Sequence, residues 1–155
     1  MELQIGSMTQ ADAEQVAAWQ YNRPYAFYDM ANDPEDLAEL LDPESRANAY
    51  FAVRESGGSL VGFYCFNQEG PILELGLGMR PDLTGRGLGL AFLEAGLQFA
   101  SERFATRSFR LAVATFNQRA IRLYTKAGFQ PVRIYQNQTN GGEHEFLEMI
   151  RESTL

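Results

Sequence analysis

The stretch from Ile72 to Arg103, ILELGLGMRPDLTGRGLGLAFLEAGLQFASER, constrains this chain more than any other. It reads as a strand to Met79, a glycine-rich loop and a long helix. Glycines in Gly85-Arg86-Gly87-Leu88-Gly89 let backbone N–H groups approach a ligand closely. A helix starting directly behind them presents unsatisfied N–H groups and the positive end of its dipole. Together these make a seat for phosphate or pyrophosphate. A tight strand-to-helix turn that binds nothing would use the same glycines, so the loop alone does not decide. Two common phosphate loops fail on inspection. No Lys-Ser/Thr pair follows the glycines, as a P-loop needs. Gly87-Leu88-Gly89 opens a dinucleotide fingerprint, but Phe92 stands where its third small residue belongs.

The 155 residues suit a single domain, 1–155, and a 45% hydrophobic content supplies a core. A net charge of −7 argues against nucleic acid or an anionic membrane as partner and favours a cationic one, such as an amine. The one cysteine, Cys65, lies in the apolar run Leu60–Phe66 and reads as a packed strand residue. One histidine, His144, is too few for a histidine metal site, so no metal is expected. The N-terminal MELQIGSMTQ has no signal-peptide pattern, and no apolar run reaches the roughly 18–20 residues of a membrane helix. These features predict a cytoplasmic enzyme or binding domain.

Along the chain, Leu3–Ile5 reads as a strand and Thr9 as the N-cap of a helix through Trp19. The aromatic segment Trp19–Tyr28 contains Pro24 and is a poor helix interior. Asp33-Pro34 predicts a second helix start, with an end near Leu41. From Tyr50 the period changes. Tyr50–Arg54 and Leu60–Phe66 read as a hairpin turned at Ser56-Gly57-Gly58-Ser59. Phe109–Thr115 is a strand, Asn117–Ala127 a helix, and Val132–Gln138 with Glu143–Ile150 a hairpin joined at Asn140-Gly141-Gly142. The order β-α-α-β-β-β-α-β-α-β-β predicts a mixed α/β domain with helices on both faces.

The helix after Phe109–Thr115 has well-marked ends. Asn117 is a good N-cap, Gly128 is placed as a left-handed C′ residue, and Phe129 follows as its apolar contact. Asn117 and Tyr124 lie two turns apart on one face, with Ile121 between them. Arg119, Arg122 and Lys126 project from the other side.

Arg86, Gly89 and Ala91 fill the pattern Arg/Gln-x-x-Gly-x-Gly/Ala behind a strand. Strand, Asn117, Tyr124 and Gly128-Phe129 follow in order. Both signatures resemble the GNAT superfamily of N-acetyltransferases, over Ile72–Phe129. The resemblance implies the GNAT fold, with a central, mostly antiparallel mixed sheet, and acetyl-CoA as cosubstrate. It places the pantetheine arm against Leu77, Gly78 and Met79, and the pyrophosphate on N–H groups from Arg86, Gly87, Leu88, Gly89 and Leu90, with Gly87 and Gly89 permitting the approach. Asn117 resembles the family's cofactor contact and serves equally as a helix cap.

Tyr124 resembles the family's general acid toward the leaving thiolate; its alternative is a core tyrosine with a satisfied hydroxyl. Glu74 is the candidate base, because an ammonium with a pKa near ~10 is only about one part in 10³ neutral at pH 7. On a regular strand Glu74 shares a face with Gly76 and Gly78, whose missing side chains leave room for ligand; a surface glutamate is the alternative. Glu69, Glu145 and an exposed His144 stand behind it. Tyr21, Tyr25, Phe27, Tyr28 and Asp29 are candidates for an aromatic, acidic acceptor pocket. The implied reaction is direct acetyl transfer to a primary amine, either a small molecule or a peptide N-terminus, by a monomer or homodimer. The rival is a catalytically silent CoA-binding sensor or interaction module.

Overall fold

A computed structural model describes residues 2–153. Among the described residues, seven strands and five α-helices follow the predicted order, with one short helix more than the sequence predicts. Strands β1 (Leu3–Ser7), β2 (Tyr50–Glu55), β3 (Leu60–Glu69), β4 (Ile72–Met79), β5 (Ser108–Ala114), β6 (Gln130–Thr139) and β7 (Gly142–Glu152) form one sheet, ordered β1-β2-β3-β4-β5-β7-β6. The pairs β1/β2, β2/β3, β5/β7 and β6/β7 are antiparallel, and β4/β5 is parallel. A parallel pair needs a crossover, which helix α4 (Gly89–Arg103) supplies. The sheet is therefore mixed and mostly antiparallel, as the family resemblance implies.

The chain divides into two compact units, and β3 and β4 contribute to both. The first comprises residues up to Cys65 together with Leu77–Arg86. Its helix α1 (Gln10–Ala17) begins in a capping box: Thr9 Oγ1 accepts from Asp12 N–H, and Asp12 accepts from Thr9 N–H, both at 3.1 Å. Asp12 also receives the Arg54 guanidinium at 2.5 Å, which ties α1 to β2. The helix ends at Ala17, two residues short of the predicted Trp19, which goes instead into the core. There Trp19 and Tyr50 lie 6.4 and 6.3 Å from the Phe63 ring. Helix α2 (Pro34–Leu41) starts as predicted on Asp33, whose Oδ1 accepts from Asp36 N–H. A short helix, α3 (Pro43–Arg46), repeats the same Asp-Pro device on Asp42, where the sequence reading expected only an end before Pro43.

The second unit comprises Phe66–Gly76 and the chain from Gly87 onward. In β5, Phe109, Leu111 and Val113 are buried, while Arg110 and Ala112 point the other way, the period-two pattern of a half-buried strand. Helix α5 (Gln118–Lys126) has its expected ends. Asn117 Oδ1 accepts from Ala120 N–H at 3.1 Å. At the other end Gly128 has φ +94°, Gly128 N–H donates to Thr125 O, and Phe129 N–H donates to Tyr124 O. That pair of bonds is a Schellman motif. The β6–β7 hairpin turns at Asn140 (φ 50°) and Gly141 (φ 84°), the two positive φ values of a type I′ turn.

Candidate functional site

The start of α4 is a helix end left open. Its N-cap, Leu88, has no polar side-chain group to cap the helix, and no acidic residue stands in the first turn. The first intrahelical bond is Phe92 N–H to Leu88 O at 3.1 Å, so the N–H groups of Gly89, Leu90 and Ala91 precede the ladder. Gly85 and Gly87 both take positive φ, 73° and 77°. The glycines on either side of Leu88 have different tasks. A Cβ on Gly87 would meet nothing within 4 Å, so its backbone faces open space. A Cβ on Gly89 would lie 3.0 Å from Leu123 Cδ2. Gly89 therefore brings the start of α4 against α5, the helix that carries Tyr124.

On α5, Asn117 is buried and caps the helix. Ile121, Leu123 and Tyr124 are only half-buried, while Arg119, Arg122 and Lys126 are exposed. The Tyr124 ring meets Phe129 edge-on at 6.0 Å.

Glu74 belongs to an ionic network. The parallel register sets it directly opposite Arg110. Arg110 Nε and Nη2 both reach Glu74 Oε2, at 3.1 and 3.0 Å, leaving Oε1 outside the pair. Arg110 Nη2 also meets Glu69 at 3.0 Å, and Glu148 lies 3.9 Å from Arg110 Nε. Hydrogen bonds donated to Glu69 and to Glu74 hold the guanidinium pKa above its usual value. The other base candidates are also placed: Glu69 is in this network, Glu145 accepts from Thr115 Oγ1 at 2.9 Å, and His144 is half-buried rather than exposed.

In the first unit, the end of β4 differs from expectation at Gly78. The space left by its missing side chain is filled by Phe63, since a Cβ there would fall 2.5 Å from Phe63 Cε1. Gly78 thus admits an aromatic ring, not a ligand, on that face. Gly78→Ala should destabilise the protein by about 1–3 kcal/mol through overpacking, read as a lowered midpoint in urea.

One residue further on, the Met79–Arg80 peptide is bonded from both sides. Arg80 N–H donates to Val61 O at 2.8 Å, and Tyr21 O–H donates to Met79 O at 2.8 Å. Burial, then the Asp29 charge, pushes the Tyr21 phenol well above its ordinary pKa. Asp29 Oδ1 accepts from Tyr21 N–H at 2.8 Å. Arg80 Nη1 donates to Leu60 O at 3.1 Å, and its other nitrogens pair with Asp82. Tyr21 appeared in the sequence only as one aromatic among several. Its partner lies 58 residues away, and no local signal marks the pairing.

Among the described residues, no group of three or more His, Cys, Asp or Glu is arranged to hold a metal ion. None of their helices is long and apolar enough to cross a membrane.

A model of the acetyltransferase (GNAT) family matches residues 13–129. N-alpha-acetyltransferase RimI of Mycobacterium tuberculosis is 34% identical over 158 residues, covering 96% of this chain and 92% of that protein. Mycothiol acetyltransferase of Propionibacterium freudenreichii is 34% identical over 108 residues, covering 66% of this chain. This chain spans only 31% of that second protein's length. Among solved structures, spermidine N-acetyltransferase from Vibrio cholerae in complex with CoA and spermine superposes with a TM-score of 0.78 at 20% identity, over 98% of this chain and 96% of that one.

Proposed function

Because this chain belongs to the acetyltransferase (GNAT) family, we propose that it acts as one catalytic domain that acetylates a primary amine by direct attack on acetyl-CoA. The observation that carries the reading is the open start of α4: uncapped N–H groups, no competing acid, and a positive-φ glycine whose missing side chain faces empty space. A diphosphate fits such a place because it supplies the acceptors and the negative charge that a helix start lacks. Residues Arg86 to Leu90 hold the diphosphate, Leu77 offers main-chain groups to the pantetheine arm, and Met79 offers its N–H at the thioester end of that arm. Gly78 supplies backbone there, its side-chain space being taken by Phe63. Asn117 contributes mainly by fixing the start of α5.

Written in full, an ammonium R–NH₃⁺ and the thioester give the amide R–NH–CO–CH₃, CoA thiol and one proton. The C–N bond forms and the C–S bond breaks. Of the two protons the nitrogen loses, one is accounted for on the sulfur and one passes to solvent. Glu74 Oε1, on a carboxylate held by Arg110 through its other oxygen, takes the nitrogen's proton directly or through water. The Tyr124 hydroxyl hydrogen-bonds or protonates the departing thiolate. The Met79 N–H polarises the carbonyl oxygen. An amine acceptor is consistent with the relatives: one is named for N-alpha-acetylation, and the structural neighbour for spermidine.

Acetyl-CoA should raise thermal stability saturably, by about 2.7 kcal/mol at a hundredfold excess over Kd, or roughly 5–10 °C in Tm for a chain of this size. No shift at millimolar acetyl-CoA would defeat the proposal. Free thiol release with spermidine, or with a peptide bearing a free N-terminus, tests transfer. A shift without thiol release across an amine panel would favour the catalytically silent CoA sensor.

A further inference from the structure

We infer that the Tyr21 phenol oxygen is a hydrogen-bond acceptor for the attacking nitrogen, so that this site seats an amine N–H at the end of β4. The inference rests on the reading that the thioester lies beside Met79.

Carbonyl oxygens only accept, so in the 2.8 Å contact with Met79 O the phenolic proton belongs to Tyr21 and is committed. No other bond to that hydroxyl exists among the described residues, so its oxygen presents lone pairs. Burial and the Asp29 charge both oppose ionisation, so the phenol keeps this proton through the neutral range. A tyrosine in this state cannot donate to a substrate carbonyl or hydroxyl oxygen. It can receive an ammonium or amine N–H.

The peptide geometry gives the direction. In a trans peptide the C=O and the following N–H point opposite ways. Arg80 N–H points toward β3, at Val61 O, so Met79 O points to the other edge of β4, and Tyr21 approaches from there. In an extended strand, the N–H and C=O of one residue point to the same edge. Met79 N–H, the group assigned to the acetyl carbonyl, therefore faces the edge at which Tyr21 stands. The Asp29 carboxylate, bonded to the Tyr21 backbone, adds a negative charge that favours a cationic nitrogen over a neutral one. Met79 O is occupied as well, so strand-like pairing of the pantetheine arm stops at this residue, leaving the phenol beside the acetyl group.

Two substitutions separate this role from a clamp. Tyr21→Phe keeps the ring and deletes the hydroxyl. Tyr21→Trp replaces the hydroxyl by an N–H donor and has no lone pair to offer. Both should raise KM for spermidine, or for a peptide with a free N-terminus, by about ten- to a hundredfold, the range of one hydrogen bond to a charged group. Acetyl-CoA affinity by thermal shift should stay within about threefold of the unaltered protein. Recovery of amine turnover in Tyr21→Trp would overturn the inference, because donation alone would then suffice. So would an equal loss of acetyl-CoA affinity and amine KM in Tyr21→Phe, the mark of a structural clamp. An unaltered protein that binds no acetyl-CoA defeats the parent reading and this inference with it. Normal acetyl-CoA binding and turnover with an unaffected Tyr21→Phe variant defeats this inference alone.

Discussion

Tyr124→Phe is expected to lower turnover by about two to three orders of magnitude while acetyl-CoA affinity stays within about twofold. The local structure makes the comparison clean. The main chain at Tyr124 is fixed by the Schellman motif, through its carbonyl's bond from Phe129 N–H. The ring is fixed by its edge contact with Phe129. Phenylalanine keeps both, so the substitution removes only the hydroxyl. A positioned acid contributes typically 10²–10⁴ in rate. The size also reports the mechanism. A thiol titrates near ~8.5 and a phenol near ~10, so full proton transfer to the thiolate runs about 2 kcal/mol uphill unless the site shifts one of them. A loss near 10² fits hydrogen-bond stabilisation of the developing thiolate. A larger loss, with an alkaline limb in the kcat profile that vanishes in the variant, fits proton transfer. Steady-state thiol release over pH measures both. Unchanged turnover would leave Tyr124 as a core tyrosine.

What could be read in advance was local. Asn117, Gly128 and Phe129 mark their helix within a dozen residues because capping bonds span only three to five positions. Asp33-Pro34 and Asn140-Gly141 work in the same way, each residue having the backbone angle its position demands. Asp42-Pro43 carries the same signal, but the residues that follow it are too few to show a helical period. The GNAT resemblance likewise rested on two short signatures, and the family match agrees with it.

The illegible part depends on register. That Glu74 stands opposite Arg110 follows from the β4–β5 pairing across a 36-residue separation. Nothing in either strand announces its partner. That Phe63 fills the place at Gly78 depends on which strand lies alongside and how it is shifted. A glycine in a strand signals that something comes close, without saying whether a ligand or a ring. Tyr21 is the sharpest case, since its placement depends on a single hydroxyl meeting a single carbonyl 58 residues away.

Ala91→Glu should push folding and binding in opposite directions. Ala91 is exposed and stands at the third position of α4, where no acidic residue now faces the dipole. A carboxylate there should stabilise the ligand-free protein by about 0.3–1 kcal/mol, seen as a small rise in Tm. The same charge would compete for the place proposed for the diphosphate. At about 6 Å, each phosphate charge would meet a repulsion of roughly 1–3 kcal/mol for an effective dielectric between that of bulk water and ~20. Acetyl-CoA should therefore bind at least about tenfold more weakly, and raising the salt from 0.05 to 0.5 M, as an order-of-magnitude step, should recover part of the loss by screening. Ala91→Gln, similar in size and uncharged, should keep most of the affinity, which separates charge from bulk. A stabilised Ala91→Glu variant that still binds acetyl-CoA like the unaltered protein would move the diphosphate away from α4. Weaker binding with an unchanged or higher Tm excludes unfolding as its cause, since a damaged helix start would lower both together.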